Sequence, residues 1–492
     1  MNTASPLKIC LATAELAPLA KTGGLADVSS ALAAYLHRRG HDLRVIMPGY
    51  SVIDTSGLDR QPVEFLQNLE SRFGPHTFHY SVDTVVLPRT DLRIYLVRCP
   101  ALYDREGIYS AGGDEHLRYL FLSRVAIDIC QRMGFAPDVF HVHDWHTSVI
   151  PLLLKSVFRW DRLFQNTRSV LTIHNIGYQG VFSADHRGDL GLNNFGHMLH
   201  QDDLVHGRIN LLKHGVMYAD AISTVSPTYA RQILGDEFGM GLQSYLQQRK
   251  ERLVGILNGV DYDEWSPEND DLIAHQYSAN DLAGKVRNKR ALLESLGMEV
   301  ELERPLLGMV CRMTVQKGID IMRDALPEIL SRRDVALAVL GSGERRYERY
   351  FESLQRRFPG RVCFYRGYNE PLAHQIEAGA DMFLMPSLYE PCGLNQMYSL
   401  RYGTVPIVRM TGGLADSVDM FDPARGEGTG IVFRDYDTNG FSWAVNTALD
   451  LYAHRPAWDR LVQNAMAMNF SWDRQGAKYE RLFHHLRAEM AA

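Results

Sequence analysis

Short runs of β-branched and apolar residues alternate along this chain with longer stretches in which apolar positions recur every three or four residues. That alternation predicts βαβ units and a parallel sheet. Predicted strands cover 9–13, 43–47, 93–97, 139–143, 169–173, 221–225 and 253–257. Helical patterns fill several of the intervals: 27–39 stops at Gly40 and 117–132 stops before Gly134, glycine being a common residue just past a helix C-terminus. The polar stretch 258–281, which contains Ser266-Pro267-Glu268-Asn269-Asp270-Asp271, breaks the alternation and reads as a linker. Beyond it a second series begins at 306–310 and continues through 335–340, 362–365, 381–385 and 405–409.

The pattern predicts an α/β fold of two doubly wound domains facing a central cleft, with ligands at the carboxyl ends of the strands. The expected boundaries are 1–258 for the first domain, 259–471 for the second, and an amphipathic helix over 472–492 that returns to the first. A length of 492 residues fits two cores better than one.

Composition narrows the classes without choosing one. A hydrophobic share of 46% and a charged share of 22% are those of an ordinary soluble protein. The formal net charge of −6 gives no global reason to expect nucleic acid or an anionic membrane. An anionic substrate must then be held by local cations and backbone N–H groups. Cys10, Cys99, Cys130, Cys311, Cys363 and Cys392 are scattered, with no CxxC pair, which fits a reducing compartment. No apolar run approaches the ~20 residues of a membrane span, and the N-terminus lacks the basic and apolar regions of a signal peptide. A cytoplasmic protein is expected.

One phrase occurs twice: Lys21-Thr22-Gly23-Gly24-Leu25-Ala26-Asp27 and Thr411-Gly412-Gly413-Leu414-Ala415-Asp416. Each copy lies between a predicted strand and an apolar helix, and each can offer a glycine turn and a helix start to an anion. Neither is a Walker loop or a GxGxxG fingerprint. His141-Val142-His143-Asp144-Trp145-His146 closes another predicted strand. Alternation sends His141 and His143 to one face and Asp144 to the other, which makes a single metal cage awkward; packing and sugar-hydroxyl binding remain the other readings. Thr172-Ile173-His174-Asn175 ends the next strand and adds a second imidazole and an amide. In the second half Arg312 and Lys317 follow a strand, where two cations suit a diphosphate. Pro386-Ser387-Leu388-Tyr389-Glu390-Pro391-Cys392-Gly393-Leu394-Asn395 carries an acid on a strand-to-helix turn. Cys392 there reads as a small packed residue rather than a nucleophile.

With these pieces in place the chain resembles the bacterial glycogen synthase and plant starch synthase family, retaining glycosyltransferases of GT-B architecture. The resemblance runs nearly end to end: KTGGLADV at 21–28, HDWH at 143–146, Thr172–Asn175, Asn258-Gly259-Val260-Asp261, RMTVQKG at 312–318, GYNE at 367–370, PSLYEPCGLNQ at 386–396 and the second TGGLAD. It implies transfer of glucose from ADP-glucose to the non-reducing end of an α-1,4-glucan such as glycogen, with retention of configuration and release of ADP. It implies no metal and no cofactor beyond the co-substrate.

By the matching motifs Lys21, Gly23 and Gly24 meet the donor phosphates from the first domain. Arg312, Lys317 and the N–H groups of Gly393, Leu394 and Asn395 hold the diphosphate from the second, beside Cys392, Thr411 and Gly412. Asp144, His174 and Asn175 read glucose hydroxyls, Tyr368 stacks on adenine, and Tyr103 and Asn258 contact substrate. Glu390 positions the glucose and supports the transition state. The family's wider relatives carry a second acid eight positions after the first; here that position is Tyr398.

Competing readings are another nucleotide-sugar transferase, which would alter the residues around Asp144 and His174, and a non-catalytic glucan-binding module, which would tolerate loss of Lys21, Arg312, Lys317 or Glu390. A dehydrogenase fits poorly because no GxGxxG follows the first strand.

Overall fold

The computed structural model describes residues 5–110 and 112–489. Chain contacts divide it into two compact units: Met1–Gly259 with Trp472–Ala492, and Val260–Ser471.

Unit 1 is built on a sheet of ten strands among the described residues. Its parallel part runs, in spatial order, Leu253–Gly255, Ala221–Thr224, Arg168–Ile173, Val139–His143, Lys8–Ala12, Asp42–Pro48 and Arg93–Arg98. The first strand in sequence, Lys8–Ala12, therefore lies in the middle, with Asp42–Pro48 on one side and Val139–His143 on the other. Such a reversal of strand order opens a crevice at the carboxyl ends, where doubly wound sheets bind ligands. The strand Val139–His143 is buried at every residue, as a parallel strand covered on both faces must be.

Beyond Arg93–Arg98 the sheet changes character. His76–Val86 pairs antiparallel with it and with Leu69–Phe73, and Arg60–Pro62 closes the edge. The alternation of the sequence does not announce this extension. Its strands are rich in charged and polar residues, such as Leu69-Glu70-Ser71-Arg72-Phe73, and read as loop.

The C-terminal helix Trp472–Ala488 belongs to unit 1 and packs against the helix Gly24–Arg38. Glu480 is its anchor, accepting from Tyr35 Oη at 2.7 Å and Arg39 Nε at 3.1 Å and pairing with His41 Nε2 at 3.0 Å. Burial raises the cost of that charge, yet these three hydrogen bonds hold the carboxyl below its ordinary value. Tyr479 and Phe483 of the same helix pack on the His141 ring.

Unit 2 is a parallel sheet in the order Val362–Arg366, Ala336–Gly341, Leu306–Val310, Met382–Met385, Val405–Arg409, Ile431–Phe433. Its order also reverses about its first strand, so the crevice opens between the ends of Leu306–Val310 and Met382–Met385. The start of this unit corrects the linker reading of 258–281. Trp265, Asp270 and Tyr277 are buried, and Trp265 lies between the rings of His374 (3.6 Å) and Tyr398 (3.9 Å, planes 3° apart). Polar composition hid a packed segment whose Asp270 is bonded to His374 Nδ1 at 2.8 Å and Tyr402 Oη at 2.5 Å.

Candidate active site

In unit 1 the loop after Lys8–Ala12 is held by a residue that sequence reasoning passed over. Glu15, 3% exposed, accepts from the Thr22 N–H at 2.6 Å, the Thr22 hydroxyl at 2.8 Å and Tyr109 Oη at 2.5 Å. A charged acid inside the apolar stretch 9–20 was the available signal. Lys21 pairs with Asp27 at 2.8 Å, and the helix starts at Gly24 with Gly23 extended as its N-cap. The first N–H groups of that helix have no intrahelical carbonyl to bond.

Across the same crevice the strand Val139–His143 ends at Asp144, whose φ of +51° is in the left-handed region. A non-glycine residue there costs on the order of 1 kcal/mol and turns the chain sharply into the helix Asp144–Thr147. The turn sets Asp144 Oδ1 to accept from the backbone N–H of His174 at 2.7 Å and Asn175 at 3.4 Å. Burial pushes the Asp144 carboxyl up to about 7; the two N–H groups pull the other way, and the charge of Glu15 adds to the rise.

His174 Nε2 and His143 Nδ1 share a hydrogen bond at 2.9 Å, and His141 Nε2 bonds Thr172 Oγ1 at 2.7 Å. Burial holds His141, His146 and His174 down at about 3, so all three are neutral imidazoles at physiological pH. His143 is pushed down by burial as well, helped by His141 and His174. The side chains of the 141–146 segment are thus divided among separate partners, His146 stacking on Tyr109 (5.3 Å) and meeting Tyr119 edge-on (4.5 Å).

Three further candidates of unit 1 are placed as follows. Tyr103 is 1% exposed and donates its hydroxyl to the Arg118 carbonyl at 2.8 Å. It packs edge-on against Tyr50 and offers no face to a substrate. Asn258 is buried at 4% exposure with its Oδ1 lacking a hydrogen-bond partner, and Asn175 Oδ1 accepts from the Gly177 N–H at 3.0 Å.

In unit 2 Arg312, exposed, and Lys317, half-buried, follow the strand Leu306–Val310. Glu390, 6% exposed, follows Met382–Met385. Lys317 Nζ donates to Glu390 Oε2 at 2.6 Å, and Ser387 Oγ donates to the same oxygen at 2.9 Å. The helix Asn395–Tyr402 begins directly after, its first N–H groups unbonded within the helix. Gln396 Nε2 braces the turn by donating to the carbonyls of Cys392 and Gly393 and to Ser417 Oγ, each at 3.0 Å. Cys392 is buried at 4% exposure. Tyr368 is 71% exposed beside the start of the helix Glu370–Gly379. Tyr398 lies stacked on Trp265, a packing residue where an acid would stand in wider relatives.

The two copies of the repeated phrase do different work. In the second, the Gly413 N–H donates to the Glu390 carbonyl at 3.1 Å rather than outward. Gly412 has φ +43°, and a Cβ there would lie 1.8 Å from the Glu390 carbonyl oxygen. Thr411 is fully buried. This copy also braces the Glu390 loop, a role that its tertiary neighbours and not the local phrase decide.

The comparisons agree with this arrangement. The profile of the starch synthase catalytic domain matches residues 8–248, and that of glycosyl transferases group 1 matches 298–466. A glycogen synthase of Geobacter metallireducens is 42% identical over 97% of this chain and 95% of its own. One from Thermotoga maritima is 39% identical, with 97% and 98% covered. Among solved structures, the catalytic domain of starch synthase IV from Arabidopsis thaliana, bound to ADP and acarbose, superposes with a TM-score of 0.91 at 34% identity, covering 98% of this chain and all of that one. A sucrose-phosphate synthase from Thermosynechococcus elongatus, at 16% identity and a TM-score of 0.60, shares the fold. Two parallel α/β units carrying these strand-end residues, matched over nearly their whole length, place the chain in the glycogen and starch synthase family of glycosyltransferases.

Proposed function

We propose that this protein transfers glucose from ADP-glucose to the non-reducing end of an α-1,4-glucan, with retention of configuration. The observation that carries the reading is the Glu390 turn of unit 2: an acid, a lysine 2.6 Å away and a helix start, all at the reversal point of a doubly wound sheet. Arg312, Lys317 and the N–H groups at the start of Asn395–Tyr402 neutralise the diphosphate, and Tyr368 gives the base a flat face. Lys317 exchanges Glu390 for phosphate oxygens when donor binds. In unit 1, taken by itself, Asp144 Oδ2 and the neutral His174 suit sugar hydroxyls, and Lys21 and the start of Gly24–Arg38 suit an anion.

The sequence around Glu390 shows no carboxylate pair with the logic of a retaining hydrolase, and same-face attack is the route we favour, the acceptor proton passing to the leaving diphosphate. Glu390 then orients the sugar and offsets the developing anomeric charge. Transfer on this scheme needs no metal, so chelator-treated enzyme keeps most of its turnover. Nucleotide release measured with ADP-, UDP-, GDP- and CDP-glucose, with and without glycogen, tests the reading. Glycogen-dependent release from ADP-glucose above the others is expected, and release independent of glucan would overturn it.

A further inference from the structure

Apart from the residues of the transfer site, three histidines of unit 1 converge on one buried aspartate. Asp189, 5% exposed, sits at the end of the 3-10 helix Ala184–Leu190. His116 Nε2, from the first turn of the helix Glu115–Arg132, lies 2.9 Å from Asp189 Oδ2. His186 Nδ1 lies 3.4 Å from the same oxygen, and His76 Nε2, at the start of His76–Val86, lies 2.8 Å from Oδ1. Ligand atoms of His116, His186 and Asp189 are all within 4.8 Å of one another.

We propose that His116, His186 and Asp189 bind a zinc-type divalent cation, with His76 holding the second carboxylate oxygen. Two imidazoles and a carboxylate are a donor set that suits Zn²⁺. For metal–ligand bonds of about 2.0–2.2 Å, the edge of a tetrahedron is about 3.3–3.6 Å. The two Asp189-to-histidine separations, 2.9 and 3.4 Å, lie near that edge, and the His116 and His186 ligand atoms are within 4.8 Å of each other.

The surroundings are those of a built site. His76 supplies the outer hydrogen bond that commonly orients a ligating carboxylate. Phe182 stacks on the His116 ring at 4.4 Å with planes 13° apart and walls one side. The fourth position opens to solvent past His186, whose side chain is 53% exposed. The tight approach is deliberate in the backbone. Gly74 has φ +52°, and a Cβ there would lie 2.0 Å from the Gly188 carbonyl oxygen, so the turn before His76 presses directly on the Asp189 helix.

The cation would fasten the helix Ala184–Leu190, and through His76 the strand His76–Val86, to the N-terminus of Glu115–Arg132. One turn along that helix Tyr119 meets Trp145 at 4.9 Å and His146 at 4.5 Å. The role is structural, and it stands independently of the transfer reaction.

The test uses the full chain, stripped with chelator and titrated with ZnCl₂ and CoCl₂. One equivalent of Co²⁺ with the visible absorption of a four-coordinate nitrogen–oxygen site is expected, together with a rise in the thermal midpoint on adding Zn²⁺. His186→Ala, at an exposed position, should keep the metal-free midpoint of the parent yet lose both the spectrum and the midpoint shift. His76→Ala should weaken binding by about 10–100-fold. Absence of stoichiometric binding in the parent, or binding unchanged in His186→Ala, would overturn the proposal. Binding lost instead in His374→Ala would do the same, and would move the site to Glu264, Glu370 and His374 of unit 2, the other cluster of suitable donors among the described residues.

Discussion

Replacing Lys317 by Met removes the cation 2.6 Å from Glu390 and leaves a carboxylate of 6% exposure with the Ser387 hydroxyl as its donor. At that distance and an effective dielectric of ~20, two unit charges attract by about 6 kcal/mol. Desolvation of both ions offsets much of this, and breaking a buried pair from one side costs about 3–5 kcal/mol in measured cases. The lysine side chain keeps 19% of its exposure against 7% for the glutamate, so the lower figure of about 3 kcal/mol applies. For a unit of this size that corresponds to a fall in midpoint of about 6–12 °C.

Glu390→Gln frees an ammonium that reaches water and should cost about 1 kcal/mol. The double variant Lys317→Met/Glu390→Gln buries no charge and should recover at least half of the loss seen in Lys317→Met. Calorimetry of the full chain reads all three, because it resolves the units if they melt separately. Equal midpoints for Lys317→Met and the double variant would refute the ion-pair reasoning. Turnover supplies a second reading: Glu390→Gln should lower kcat by about 10²–10³, as loss of a transition-state contact does, while ADP affinity holds or rises because Lys317 is released. Near-normal turnover in a folded Glu390→Gln enzyme would remove Glu390 from the chemistry.

Asp144, with its carboxyl raised to about 7, keeps a proton in the folded state that the unfolded chain has lost, so its contribution to stability falls as pH rises from about 4 to 7, by at most about 4 kcal/mol. Asp144→Asn should flatten that part of the stability–pH curve relative to the parent in urea titrations, and parallel curves would contradict the assignment. Gly412→Ala puts a Cβ against the Glu390 carbonyl and should displace the loop, lowering turnover more than tenfold with ADP binding weakened; a fully active variant would deny this glycine its bracing role. Trp265→Ala removes a ring packed between His374 and Tyr398 and should cost about 3–5 kcal/mol in unfolding experiments, whereas a true linker residue would cost almost nothing. Cys392, 4% exposed, should react with bulky thiol reagents only slowly, as mass spectrometry of the labelled chain would show.

The doubly wound architecture was legible because fully buried parallel strands such as Met382–Met385 and Ala336–Gly341 leave continuous apolar runs. Asp144, His174, Lys317 and Glu390 were picked out for a related reason: strand ends are where such sheets bind ligands, and Asp144 and His174 directly follow a run while Lys317 and Glu390 lie on the loop after one. What escaped was set by partners distant in the chain. Glu15 looked like an interruption until Thr22 and Tyr109 turned toward it. The burial of Tyr103 against Tyr50 was not legible because that partner lies more than 50 residues earlier in the chain. The second TGGLAD copy matched the first letter for letter, yet its Gly413 N–H is taken by a carbonyl that the first copy does not face. His76, His116, His186 and Asp189 show no motif spacing at all.

Because the helix Trp472–Ala488 belongs to unit 1 while the preceding residues belong to unit 2, the ribosome delivers unit 1 in two instalments. At ~5–20 residues per second, the intervening stretch occupies the ribosome for on the order of 10–40 s. Throughout that interval Tyr35, His41 and the His141 ring wait without Glu480, Tyr479 and Phe483. Unit 2, by contrast, is one uninterrupted segment and can condense as it emerges. The nascent chain therefore completes its later unit first and seals its earlier one only once Trp472–Ala488 has emerged, so a chain that stops before Trp472 carries a finished unit 2 and an unsealed unit 1, a natural target for chaperones and proteases.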